Sequence, residues 1–121
     1  MNNSLVLAFL GDSIYEFYIR KYLISLGIEK VEKLQSESIK YVSAKSQASY
    51  LKSMIDFNYL NEEEISVVMR ARNHKSNHRP KNCDMITYKN ATGLEALIGY
   101  LYYKDNVKRI EEIIDFIINS N

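Results

Sequence analysis

The chain has 121 residues, 46% apolar and 26% charged, which is ordinary for a single globular domain with a hydrophobic core. The single cysteine, Cys83, excludes a disulfide within the chain and is expected to be a bystander thiol. No apolar run reaches the length of a membrane span, and no basic segment precedes a cleavable apolar stretch, so we expect a cytoplasmic protein. The net charge of +1 excludes no partner by itself.

The first predicted element is a helix over residues 5–26 with apolar side chains on most of its circumference, a pattern that places it inside the fold. Asp12 lies in its middle, and Glu16 follows one turn later on the same face. A buried carboxylate must be paired, hydrogen-bonded or bound to a metal, because the loss of its water costs several kcal/mol. The sequence therefore predicts a partner for Asp12 elsewhere in the chain.

Apolar residues at helical spacing predict five further helices, over residues 31–41, 43–57, 62–73, 84–103 and 106–118. Asn61 is a good N-cap for the fourth of these six helices. Arg70 and Arg72 complement the dipole at its end, which is one explanation for both residues. The polar residues 74–83 predict a loop. Since no strand periodicity is present, residues 1–121 are expected to form one all-α domain.

The fifth predicted helix repeats the anomaly of the first, because Glu95 is the only charged residue in 91–101. A stripe of small residues on this helix would let another helix approach closely, namely Thr92, Ala96 and Gly99. We expect the first and fifth helices to pack together and to bring Asp12 close to Glu95. Two such carboxylates repel unless a proton or cation separates them. The cation is either a Lys or Arg, giving a structural ion pair, or a hard divalent metal such as Mg²⁺.

Basic residues concentrate in residues 70–89, which carry a local net charge of +5 and leave −4 for the rest of the chain. This asymmetry indicates an anionic partner at one place, such as a nucleic-acid backbone. A metal beside a phosphate-binding surface favours phosphodiester hydrolysis.

The same residues carry a resemblance to a known family. Residues 9–13 (FLGDS) resemble the signature helix of ribonuclease III, and residues 94–99 (LEALIG) resemble its second acidic motif. Residues 41–48, 70–73 and 80–82 are similar to the Mini-III branch, a ribonuclease III-like catalytic domain without a double-stranded-RNA-binding domain. The resemblance covers essentially the whole chain, and it implies a ribonuclease III-like endonuclease domain of about six helices.

Two positions depart from the full-length enzymes of the family. Where those enzymes have a glutamate and an aspartate, this chain has Ala8 and Thr92. Only two of the four site carboxylates remain, Asp12 and Glu95. The Mini-III branch shares this reduced set, so the departure does not imply inactivity, but it leaves the number of metal ions open.

The resemblance implies a homodimer that binds double-stranded RNA in a groove and hydrolyses one strand per subunit with Mg²⁺, for which Mn²⁺ is a substitute. It also implies maturation of precursor 23S ribosomal RNA. Asp12 and Glu95 would be the catalytic residues and the metal ligands. Glu16 either serves as an outer acceptor around the metal or pairs with Arg20 or Lys21.

The implied RNA-binding residues are mostly basic, since A-form RNA is recognised largely through its shape and backbone. They are Arg70, Arg72, Asn73, Lys75, Arg79, Lys81 and Asn82. For Asn82 an equal alternative is that it caps the fifth helix near Asp84.

Two other functions remain open on the sequence. One is a non-catalytic ribonuclease III-like module that binds structured RNA or dimerises within a larger assembly. The other is an all-α interaction domain whose two acids are ion-paired. We also expect the first helix to lie in the dimer interface, because Phe17, Tyr18 and Tyr22 add to its apolar surface. The alternative is that all three aromatic side chains pack in the core of one chain.

Overall fold

The computed structural model of the chain describes residues 3–74 and 83–121, and within these ranges it consists of helices and short connections without a strand. The helices are α1 (Ser4–Ser25), α2 (Val31–Val42), α3 (Ala44–Asp56), α4 (Glu62–Arg72), α5 (Met85–Tyr103) and α6 (Val107–Ile118). Each predicted boundary falls within one residue of the observed one, so the all-α prediction is confirmed. Of the predicted loop, residues 75–82 lie outside the described residues.

Short polar side chains mark where the helices begin. The Asn3 side chain accepts hydrogen bonds from the first-turn N–H groups of Leu5 and Val6, at 3.0 and 3.2 Å. Asn61 caps α4 as predicted. The N-cap of α5 is Asp84 rather than Asn82, because the Asp84 carboxylate accepts from the N–H of the third helical residue at 2.8 Å. These bonds satisfy N–H groups that a helix terminus leaves without partners.

The centre of the fold is α5, which packs against α1, α3 and α4. The apolar side chains in the middle of α5 are buried and join apolar residues of the other helices in one core, whereas Ile86, Tyr102 and Tyr103 near its ends are exposed. The core residues from α5 are Leu94, Leu97, Ile98 and Leu101, and those from α6 are Ile110, Ile113, Ile114 and Ile117. Within the described ranges, no helix is long and apolar enough to cross a membrane.

The prediction that α1 lies inside the fold is wrong for a single chain. This helix buries one face against α5, while Phe9 and Phe17 on its other faces are 84% and 59% exposed. Tyr18 and Tyr22 are half-buried at the edge of the core. The alternative that all three predicted aromatic residues pack in the core is therefore wrong for Phe17. A long apolar helix in a small bundle has more apolar surface than its neighbours cover.

Two glycines allow the backbones of α1 and α5 to touch. A Cβ atom at Gly11 would overlap the carbonyl oxygen of Glu95, and a Cβ atom at Gly99 would overlap the carbonyl oxygen of Leu7. Any larger residue at either position would force the two helices apart. This contact sets the register of the pair, and it confirms the predicted packing of the first helix on the fifth.

A buried ion pair joins α4 to α6. Glu64 is only 2% exposed, and its two carboxylate oxygens accept from Arg109 Nε at 2.7 Å and Nη2 at 2.9 Å. Arg109 also donates to the Tyr59 carbonyl oxygen at 2.6 Å and to Glu112 at 3.1 Å. The Arg109 guanidinium lies over the Tyr59 ring, 4.6 Å from its centroid. Every oxygen and most donors of this pair are thereby satisfied, as a buried charge pair requires.

Candidate active site

A cleft of about 290 Å³ opens between α1 and α5, beside the end of α4. Its wall includes Asp12 from α1 and Glu95 from α5, so the structure brings together the two predicted acids. His74 closes one side just after α4, and Lys89 lines the cleft from the first turns of α5. Gly11 precedes Asp12 and touches the backbone of Glu95, which places the two carboxyl groups on facing sides of one opening.

The two carboxyl groups differ in their exposure. Asp12 is exposed, which corrects the prediction that it is a buried acid. The reason is that Asp12 stands at the rim of the cleft, on the side of α1 that the rest of the bundle does not cover. Glu95 is the more enclosed of the two, and its carboxyl group lies deeper, among the buried residues of α5.

The surroundings of Glu95 favour its neutral form. Burial raises the pKa of Glu95 most, and the charge and close contact of Asp12 raise it further, to about 8. The Gln47 side chain opposes this shift and lowers the pKa of Glu95. A carboxyl group in this position holds a proton near neutral pH unless a cation compensates its charge.

Within residues 3–74 and 83–121, neither acid has the basic partner that a structural ion pair would need. The ion pairs among residues 3–74 and 83–121 do not include Asp12 or Glu95. Lys89 lines the same cleft, but its nitrogen forms no ion pair with either carboxylate. The predicted alternative, a structural ion pair of these acids, is therefore not observed in the described part of the chain.

The donor set suits a hard cation. Mg²⁺ is bound in many proteins by one or two carboxylates while it keeps several waters, and Asp12 and Glu95 supply two. The described residues contain no group of three or more His, Cys, Asp or Glu that could enclose a metal, so waters or substrate would complete its coordination. Ala8 and Thr92 line the same cleft. These are the two positions at which the sequence analysis found a neutral residue where the full-length enzymes have an acid. Both positions therefore lie in the site.

Glu16 forms one of the two predicted interactions. Its Oε1 accepts from Arg20 Nη2 at 3.2 Å in an exposed pair one turn apart. Glu16 is not among the residues that line the cleft. The predicted pairing with Arg20 is thus observed, and a role toward the metal stays a prediction.

Three of the predicted RNA-binding residues are described, and they cluster at the end of α4. Arg70 is exposed, with Nη2 3.4 Å from Ser66 Oγ, and Arg72 is half-buried. Asn73 is the exposed C-cap of α4, directly before His74 of the cleft. The other four, Lys75, Arg79, Lys81 and Asn82, lie outside the described residues. None of the three lines the cleft: Arg70 lies in a surface groove between α4 and α5, and Arg72 lies in another between α3 and α5. None is in an ion pair of the described ranges.

The structure adds side chains that the sequence did not assign to the site. Tyr88 and Lys89 line the cleft, and Tyr88 could have been found because it lies seven residues before Glu95, on the same helical face. His74 comes from a different element, and nothing in the sequence pattern marks it. Gln47 of α3 stands behind Glu95, and its helical spacing only indicated a buried face.

Comparison with known proteins identifies the family of the chain. Residues 5–106 match the family profile described as Ribonuclease III domain, which includes both acidic residues and five of the six helices. The all-α fold and the paired carboxyl groups at the α1–α5 cleft thus define an endoribonuclease of the ribonuclease III type.

Named relatives identify the branch of the ribonuclease III family to which the chain belongs. The chain is 42% identical to the Mini-ribonuclease 3 of Streptococcus pneumoniae, over 98% of this chain and 92% of that protein. It is 47% identical to the Mini-ribonuclease 3 of Enterococcus faecalis, over 98% and 89%. The crystal structure of a Fusobacterium nucleatum protein superimposes with a TM-score of 0.86 at 38% identity, covering 98% of this chain and 93% of that one. The chain belongs to the ribonuclease III family, in its Mini-ribonuclease 3 branch.

Proposed function

We propose that the protein is a Mg²⁺-dependent endoribonuclease that hydrolyses double-stranded RNA, with Mn²⁺ as a substitute for Mg²⁺. We further propose that its substrate is precursor 23S ribosomal RNA and that it acts in the bacterial cytoplasm. The observation that carries the metal-dependent reaction is the cleft in which Asp12 and Glu95 face each other without a basic partner in the described ranges. The reaction class is inferred from the family, and the cation site is inferred from the two carboxyl groups in the cleft.

Asp12 and Glu95 would hold the metal. When bound, Mg²⁺ supplies Lewis-acid stabilisation of charge on the phosphate and activates a water. Glu95, whose pKa is raised by burial and by Asp12, would be ionised when it holds the cation, because the cation would compensate its charge. The exposed Asp12 at the rim lies where the substrate enters, and the deeper Glu95 anchors the cation on the rigid central helix. Glu16 is proposed only as an outer acceptor around this site.

The basic residues would bind the RNA backbone. Arg70, Arg72 and Asn73 are proposed to contact phosphates or 2′-hydroxyl groups, because they lie at the end of α4, the part of the helix whose Ala71 lines the cleft. The remaining proposed contacts continue along the chain, at Lys75, Arg79, Lys81 and Asn82. This arrangement suits a duplex that is recognised by shape and charge rather than by base sequence.

We propose that the active form is a homodimer with α1 in the interface. In support, α1 exposes Val6, Phe9, Phe17 and Ile24, which a second copy of the same surface would cover. A two-fold axis pairs one patch with itself and would present two clefts to the two strands of a duplex. Sedimentation at low micromolar concentration should give a dimer, and Phe17→Asp should shift it toward monomer. A monomeric wild type that still cuts both strands at one site would contradict this assembly.

The test of the proposed reaction is incubation of the purified protein with duplex RNA, with Mg²⁺ or with EDTA. We expect cleavage only with the metal, and slower cleavage of single-stranded RNA of the same sequence. The second candidate, a non-catalytic RNA-binding module, predicts salt-dependent binding of the duplex without cleavage under either condition. If the protein neither binds nor cleaves the duplex, the result favours a protein-interaction domain.

A further inference from the structure

The Gln47 amide is an anomaly in the packing of α3. The side chain is 2% exposed, and Nε2 is the one fully buried side-chain nitrogen or oxygen of the described ranges without a hydrogen-bond partner. A buried donor left unpaired costs about 1–3 kcal/mol. Native proteins contain few such groups, and each one calls for an explanation such as a function or an absent ligand.

The position of the amide relates it to the cleft. Helix α3 packs directly on α5, and the Gln47 side chain is near enough to the Glu95 carboxyl group to lower its pKa. In this structure, however, Gln47 Nε2 has no hydrogen-bond partner. Asp12 and Glu95 line the cleft and Gln47 does not, so the amide approaches Glu95 from the protein interior.

An amide N–H in this place has one obvious acceptor. Hydrogen bonds from a neutral donor to an ionised carboxylate are shorter and stronger than those to a neutral group. Partners behind a metal-binding side chain fix its orientation, and their loss typically lowers metal affinity about 10–100-fold. The Glu95 carboxylate has two oxygens, so one can accept from Gln47 while the other holds a cation.

We propose that Gln47 is a positioning residue of the metal site, whose Nε2–H donates to the Glu95 carboxylate and holds it toward Asp12 when the cation is bound. This inference rests on the proposed metal-dependent function. On this proposal, the buried amide finds its hydrogen-bond partner only when the cation is bound, and it is not there merely to fill the core.

The test is Mn²⁺ binding to metal-free protein by calorimetry, for wild type and Gln47→Met. Methionine keeps the volume and removes the donor, so we expect Mn²⁺ affinity to fall about tenfold or more. The melting temperature of the metal-free variant should stay the same or rise, since an unpaired buried amide is removed. Gln35→Met is the matched control, because Gln35 is exposed on α2 and should leave both values unchanged.

The outcomes separate the inference from the proposed function. If wild type binds no Mn²⁺, the proposed metal site itself fails. If wild type binds Mn²⁺ and Gln47→Met binds it within about twofold, the inference is overturned and the metal site stands.

A second measurement needs no variant, and it decides the case if Gln47→Met does not fold. In wild type, the side-chain amide resonances of Gln47 should shift on saturation with Mg²⁺, while those of Gln35 stay in place. Unchanged Gln47 resonances at saturating Mg²⁺ would overturn the inference.

Discussion

Glu64 and Glu95 are both enclosed glutamates on helices, and their surroundings are opposite. Glu64 has a cation beside it, since Arg109 meets both of its oxygens within 2.9 Å. Glu95 has a second acid on one side and an amide on the other, and no ion pair within the described residues. The comparison shows that burial of a charge does not by itself indicate function. What distinguishes the candidate site is that no basic residue of the described ranges forms an ion pair with its two acids.

The largest effect should come from removing one acid of the uncompensated pair. Asp12→Asn keeps the size of the side chain but removes the charge that holds a cation, so we expect at least about a thousandfold loss of duplex cleavage. The fold and the binding of RNA should persist, because Asp12 is exposed. Cleavage assays beside melting curves and binding assays check this. Asp115→Asn, on the exposed side of α6, is the matched control, and near-normal turnover of Asp12→Asn would refute the assignment.

The opposite result is expected at the compensated acid. Arg109→Met leaves Glu64 buried without its cation, which should destabilise the fold by about 3–5 kcal/mol. Mn²⁺ affinity of the folded protein should be unchanged, because α6 does not line the cleft. Urea denaturation gives the stability, with Arg20→Met as a control that removes only an exposed pair and should cost less than about 1 kcal/mol. A loss of stability no larger than in this control would show that the pair is dispensable.

The surroundings of Glu95 should also make stability depend on pH. The pKa of Glu95 is raised from 4.5 to about 8, so the folded protein retains a proton that the unfolded chain has lost between these values. Without metal, the contribution of Glu95 to the free energy of unfolding should therefore be most favourable below about pH 4.5. It should become less favourable as the pH rises toward 8. The loss should be at least about 1.4 kcal/mol, the equivalent of one pKa unit.

Melting curves of metal-free protein between pH 5 and 8 measure this loss. Glu95→Gln should flatten the profile relative to wild type, and saturating Mg²⁺ should restore the stability of wild type at the high end. If Glu95→Gln follows the wild-type profile in parallel, another group is responsible.

The smallest individual effects should come from the basic residues that are proposed to contact the RNA backbone. Neutralising Arg70, Arg72, Lys75, Arg79 or Lys81 should weaken duplex binding and reduce the salt slope by roughly one per lost phosphate contact. For Arg70 and Arg72, a role at the C-terminus of α4 predicts a lower melting temperature instead. Binding at several salt concentrations and melting curves of the same variants distinguish the two. Equal salt slopes in wild type and variants would exclude phosphate contacts.

The sequence by itself determined the helices, their ends and the pairing of Asp12 with Glu95. Helical periodicity, N-caps such as Asn61 and close-packing glycines such as Gly99 act within a few residues or on one face of one helix. Such local signals can be identified in a single sequence. The two acids stood out because each interrupts an apolar stretch.

Only the tertiary structure decided which charges are enclosed and which are compensated. The apolar surface of α1 predicted a buried helix, but α5 occupies the centre and leaves Phe9, Phe17 and Asp12 exposed. Glu64 is in the first turn of α4, where an acid complements the helix dipole, but in the structure it is a buried partner of Arg109, 45 positions away in the sequence. Nothing in the sequence indicated that the buried amide of Gln47 would have no hydrogen-bond partner among the described residues. Burial depends on which other elements cover a face, and a helical pattern shows only that the face is apolar.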